Sequence, residues 1–214
     1  MFASSRIAAL LILSCSVNVV VRCDQHLCPT GYSRSACLDD IECKYLLCWK
    51  VNWPDETITF VSKVATTGWI GFGVSPTGMM SNSDVVIGWV ANGQGYLKDR
   101  FANARVMPPI DAKQNVELLS AEESNGTTTL VFRRKLSACE DPEKDLSIET
   151  GPVWIIWSYH DSDPVSENSV TKHSAKGSKE INVLSGTGDV QAAPLPADHQ
   201  TMDLLNNAVK RNRL

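Results

Sequence analysis

The 214-residue sequence predicts an all-β fold, an antiparallel β-sandwich followed by a short C-terminal helix. Three observations carry the sandwich. Short runs rich in β-branched and aromatic residues recur from Leu46 onward, turn residues such as Pro54, Asn92-Gly93 and Asn125-Gly126 punctuate them, and no helical periodicity alternates with them.

Residues 1–23 read as a signal peptide, because Arg6 supplies a basic start and Ala8 to Leu13 an apolar run too short to span a bilayer. Val21 and Cys23 then suit the −3 and −1 positions of a cut before Asp24. Ser14, Ser16, Asn18 and Arg22 interrupt the continuous run that an uncleaved anchor needs. The protein is therefore expected to be secreted, and no later stretch is long and apolar enough for a membrane span. Loss of Arg6 and Arg22 with the leader takes the net charge from −4 to −6, and no basic stripe emerges. That balance argues against nucleic acid as a partner.

Residues 24–43 form a cysteine-rich lead segment. Of the five cysteines left after the cut, Cys28, Cys37, Cys43 and Cys48 crowd together, which in an oxidising compartment reads as disulfide bonding of unknown connectivity. Zinc is the weaker reading, since paired C-x-x-C spacings are missing. The odd thiol falls to the isolated Cys139, as a buried free thiol, as a bridge to a second molecule, or paired with a lead-segment cysteine that leaves another thiol over.

Residues 44–185 carry the sandwich. Tyr45 to Trp53 is apolar and ends at Pro54-Asp55; Thr57 to Ala65 alternates, with Ile58 and Phe60 on one face and Thr57, Thr59 and Lys63 on the other. Trp69 to Val74 follows, then Val85 to Val90 ending at the hairpin dipeptide Asn92-Gly93. Val116 to Leu119 and Thr127 to Arg134 pair across Asn125-Gly126, with Leu130 and Phe132 inward and Arg133 outward. Val153 to Tyr159 is so apolar that it is expected to be a central strand buried on both faces, and Ile181 to Leu184 is a final edge strand. Residues 186–214 are a linker and an amphipathic helix with Met202, Leu205 and Val209 at helical spacing.

Several residues have chemistry to offer. Asp84 and Asp99, at strand starts, are a candidate oxygen site for calcium, against the alternative that Asp84 caps a loop by accepting backbone N–H bonds. Asn125-Gly126-Thr127 is the one glycosylation sequon, on a hairpin tip. Trp69, Trp89, Trp154 and Trp157 could stack a sugar or another flat ligand, but in strands this apolar they are core residues first. Neither a G-x-S-x-G elbow nor an H-E-x-x-H helix occurs, so no catalytic residue is assigned and an enzyme is not expected.

The stretch Gly68-Trp69-Ile70-Gly71-Phe72-Gly73-Val74-Ser75, then Gly78-Met79-Met80, then Asp84-Val85-Val86-Ile87-Gly88-Trp89-Val90, resembles the core signature of the DOMON family. Phe132 to Leu136 leading to Cys139, Val153 to His160, and His173 before Lys179 to Leu184 extend the likeness to the DOMON module of dopamine β-hydroxylase-like monooxygenases. The resemblance implies an immunoglobulin-like sandwich that holds b-type haem or binds sugars and other small ligands. It does not supply hydroxylase chemistry, which in those enzymes belongs to copper domains. The four histidines His26, His160, His173 and His199 include no H-x-H set from which copper sites could be built.

Two readings follow. One is a secreted, non-catalytic module for a small-molecule or sugar ligand or an extracellular protein. The other is a haem b electron carrier in which the resemblance assigns Met80 and His173 as axial ligands, with His160 in reserve unless it simply bonds Asp161 or Asp163. The resemblance also puts Cys139 where those monooxygenases tether the module covalently, which favours a disulfide-linked dimer here.

Overall fold

A computed structural model describes residues 28–39, 42–139 and 141–185. The expected signal peptide and the expected C-terminal helix fall on residues outside those described. Among the described residues ten strands form two five-stranded antiparallel sheets: β1 (Arg34–Cys37), β2 (Tyr45–Asn52), β3 (Thr57–Val64), β4 (Ile70–Ser75), β5 (Ser83–Ala91), β6 (Gln94–Ala102), β7 (Glu117–Ser124), β8 (Thr127–Lys135), β9 (Pro152–Tyr159) and β10 (Ala175–Asn182). The first sheet runs β1-β2-β3-β8-β7 and the second β10-β9-β4-β5-β6. The expected all-β sandwich is what the chain forms.

The core lies where the inward faces meet. Phe60 and Phe132 of the first sheet and Phe72 of the second close a triangle, with ring centroids 4.7, 5.3 and 5.7 Å apart. Rings tilted at such distances add attraction beyond their buried area. Tyr45 is fully buried and its hydroxyl is hydrogen-bonded to both the Ser62 hydroxyl and the Gly71 carbonyl, so the only polar atom of the ring is satisfied. The hairpin turns follow their dipeptides. Asn92 and Gly93, and Asn125 and Gly126, have φ values of 53°, 74°, 52° and 74°, the left-handed pair that a two-residue hairpin requires.

Four strand expectations are corrected. β1 and β6 were not foreseen, because Arg34–Cys37 sits in the cysteine-rich lead and Gln94–Ala102 is punctuated by polar and charged side chains. β9 is second from the edge rather than central and is only partly buried, with Ile155 its one fully buried residue. Its apolar run reflects two half-covered faces. β10 starts earlier than its apolar end, since exposed Lys176, Ser178 and Glu180 alternate along an edge strand that is solvated on one face. Thr57 and Thr59 are buried although they face outward; Thr59 is flanked in register by Lys50 and Arg133, and long stems of this kind shield a short neighbour from water.

The lead segment is bonded as Cys28–Cys48 and Cys37–Cys43, so the four crowded cysteines pair among themselves. These bonds hold Tyr32 and the half-cystines over Leu46, Cys48 and Val61 on the outer face of the first sheet. Among the described residues Cys139 is the free thiol, and it is exposed.

Candidate functional site

One end of the core closes on charge instead of hydrocarbon. Register explains why. Val86 faces the core and pairs with Asp99, so Asp99 faces inward too, and Asp84 shares the parity of Val86 on β5. Across the gap Arg134 has the parity of Leu130 and Phe132 on β8. Asp84, Asp99 and Arg134 are all buried, and Asp145 joins them from the β8–β9 loop.

The Arg134 guanidinium reaches from one sheet to the other. Its Nη1 donates to Asp84 Oδ2 at 2.5 Å and its Nη2 to the Leu146 carbonyl at 2.7 Å, while Leu146 N–H donates to the same Asp84 oxygen at 3.1 Å. Asp84 therefore does accept a backbone N–H, together with the arginine. Asn115 donates to Asp145 through its side-chain amide. Asp99 Oδ1 accepts from Arg100 N–H at 3.0 Å, whereas its Oδ2 is buried without a partner.

One carboxylate oxygen from each of Asp84, Asp99 and Asp145 lies within 4.8 Å of the others. Burial, then the charges of Asp84 and Asp145, pushes the Asp99 carboxyl up to about 8. Asp84 is also raised, because its burial outweighs the opposing pull of Arg134. The arrangement can hold a proton on Asp99, or a hard cation among oxygens. The sequence reading found Asp84 and Asp99 but missed Arg134 and Asp145. Alternation with Leu130 and Phe132 was the available signal for Arg134; Asp145, on a loop, offered none.

Met80 and His173 are both half-buried, on loops that flank the second sheet. The β4–β5 loop carrying Met80 leaves the sheet at Ser75, opposite Trp154, and is held by the Ser75 and Ser83 hydroxyls, both donating to the Met79 carbonyl at 2.7 Å. His173 stands two residues before β10, at the end where Tyr159 pairs with Ala175 and Ile70. From Trp154 to Tyr159 is five residues of β9, about 17 Å of strand. The two loops are thus anchored at opposite ends of the sheet. His160 sits beside His173's end, and its ring Nδ1 meets the backbone N–H and hydroxyl of Ser162 at 3.0 Å rather than Asp161 or Asp163.

At the His173 end the outer face of the sheet is covered by the chain itself. Trp69, Ile87 and Trp89 are buried there with Tyr96 and Val170, and Trp89 stacks on Tyr96 at 5.0 Å. Trp69 Nε1 donates to the Thr171 carbonyl at 3.1 Å. Arg100, almost fully buried, donates to the Pro108 carbonyl at 2.7 Å and to the Glu167 carbonyl, tying the β6–β7 and β9–β10 loops to the strand. At the other end the Trp154 ring lies so near Gly78 that a Cβ there would come within 2.8 Å of it. Trp157 faces Tyr45 in the main core at 5.8 Å. All four tryptophans are engaged in packing.

Asn125 is exposed on the β7–β8 turn, at the end where Thr128 donates to Thr66 O and Thr66 to His160 O. Cys139 follows β8 at the opposite, acidic end, with its thiol 2.7 Å from the Ser137 hydroxyl.

A family model for the DOMON domain matches residues 40–160. The human DBH-like monooxygenase protein 1 is 37% identical over 146 residues, covering 68% of this chain and 23% of that protein. Rat dopamine beta-hydroxylase is 29% identical over 160 residues, which cover 74% of this chain and 25% of the enzyme. The chain thus spans about a quarter of the length of the curated relatives it matches. Among solved structures, the cytochrome b domain of a pyranose dehydrogenase from Coprinopsis cinerea superposes with a TM-score of 0.54 at 18% identity, covering 65% of this chain and 76% of that one.

Proposed function

As this chain belongs to the DOMON family, we propose that it works outside the cell as a non-catalytic β-sandwich module that binds a small ligand or an extracellular partner. Two disulfides among the described residues suit an oxidising compartment, and no described helix is long and apolar enough to cross a membrane. Of the buried groups that do converge, Asp84 and Arg134 are bonded to each other and to the backbone of Leu146. Exposed Cys139 gives such a module a covalent attachment point.

The observation that carries this reading is that the Met80 and His173 loops leave opposite ends of the second sheet. A haem ligated by both would need the two loops to reach one iron across the length of that sheet, whose His173 end is already taken up by Trp69, Trp89, Tyr96 and Val170. The residues present do not fit the group in this arrangement. The likeness to a cytochrome b domain nevertheless supports haem b as a second reading, with the loops rearranged around it. An absorption spectrum of protein purified from its secreting cells separates the two. A colourless protein is expected. A Soret band that His173→Ala removes while the sandwich stays folded would overturn the first reading in favour of the second.

A further inference from the structure

An open cleft of about 370 Å³ lies on the other side of the molecule, against the first sheet. Its volume is within the range of small-ligand sites, roughly 300–1,000 Å³. Tyr32, Arg34, Lys50, Val51 and Trp53 supply its side-chain walls. The wall from the lead segment is rigidly set: the Cys28–Cys48 bond ties it to β2, and a turn in which Tyr32 N–H donates to the Pro29 carbonyl places Gly31 at a φ of 90°, which favours glycine. Trp53 projects from the β2–β3 turn and stays 37% exposed, an unusual state for so large an apolar ring.

Charge in the cleft runs against that of the chain. The whole sequence is acidic, at −4, yet the lining contains one lysine, one arginine and no carboxylate. Lys50 Nζ lies 4.8 Å over the Tyr32 ring, which orients the ammonium at the cleft wall. Arg34 turns to the core side of the sheet, where its Nη1 donates at 2.8 Å to the Val183 carbonyl that Trp49 Nε1 also reaches, so Lys50 is the cation left to meet a ligand. A positive wall beside a flat, half-wet indole selects a ligand that is anionic at one end and apolar and planar at the other. A polyanion is disfavoured by the acidic remainder of the surface.

The geometry points to this cleft as a binding site for a small aromatic carboxylate, with Trp53 stacking the ring and Lys50 meeting the carboxylate. The site deepens the binding role proposed above and rests on it. It stands on the sheet away from Met80 and His173, so the absorption spectrum tests that role and ligand titration tests the cleft.

The test is titration calorimetry on the full secreted chain with indole-3-carboxylate and its uncharged carboxamide. Saturable binding of the carboxylate is expected, at least about tenfold weaker for the carboxamide and for Trp53→Ala and Lys50→Gln. Trp53→Phe keeps a flat ring and should keep most of the affinity. Trp53 and Lys50 are exposed, so melting temperatures of the variants should match the parent and exclude misfolding as the cause. No saturable binding by the parent, equal binding of the carboxamide, or binding untouched in both Trp53→Ala and Lys50→Gln would each overturn the assignment.

Discussion

Asp99 is a carboxyl that faces a core, with one oxygen satisfied by Arg100 N–H and the other by nothing. Its folded-state pKa of about 8 lies far above the ordinary 3.8, so the native state holds a proton that the unfolded chain has lost. A carboxyl shifted this way contributes stability in full below about pH 4, and the contribution is lost as pH rises through 8. Melting temperature should therefore fall between about pH 6.5 and 8, a window above the ordinary titration of His173, whose own pKa is lowered first by burial and then by Lys176. Asp99→Asn should abolish that slope and stabilise the fold at pH 8 by roughly 1–3 kcal/mol, since a tenfold change in proton affinity is worth about 1.4 kcal/mol. An unchanged slope would mean that Asp99 is ionised in the native state. Calcium held by Asp84, Asp99 and Asp145 would reverse the trend, raising the melting temperature at pH 8 but not at about pH 5, where the proton competes. At this scale the sequence was partly legible. Asp84 and Asp99 stood out as carboxylates within apolar strands, while the partner that neutralises Asp84 was hidden in the run Arg133-Arg134, where only strand parity tells the outward guanidinium from the inward one.

Between elements, Arg134 is a strut. It leaves β8 in one sheet, meets Asp84 of β5 in the other, and holds the β8–β9 loop through Leu146, so three elements meet on one guanidinium. Arg134→Met should cost about 3–5 kcal/mol, because it strands a buried carboxylate, and denaturant midpoints measure that loss. Pairing it with Asp84→Leu should recover much of the stability, and a double variant no better than the single one would deny that the strut acts through charge. Strands were legible where both their faces are apolar, as in β4 and β5, or where an Asn-Gly turn marks their end. They were not legible where a strand has a wet face or an edge position: β6 owes its buried residues Asp99, Arg100 and Ala102 to contacts from other elements, and β1 exists because disulfides bring it to β2. β9 misled for the converse reason, since apolarity on both faces came from partial cover by loops.

Taken whole, the sandwich has two unlike poles separated by strands of eight or nine residues, about 27–30 Å. The Asn125 turn marks one pole, and Cys139 with the buried acids marks the other. Glycosidase treatment of protein expressed through a secretory pathway should lower its apparent mass, and Asn125→Gln should remove the whole of that shift; a remaining shift would point to attachment elsewhere. Non-reducing electrophoresis should show a dimer that Cys139→Ser eliminates, whereas a monomeric parent would leave the exposed thiol for another partner. The placement of these two residues sets the outline of such an assembly. Two sandwiches bridged at their thiol poles would each carry a glycan on Asn125 a full strand length from the joint, so glycosylation and dimer formation would not compete for the same surface.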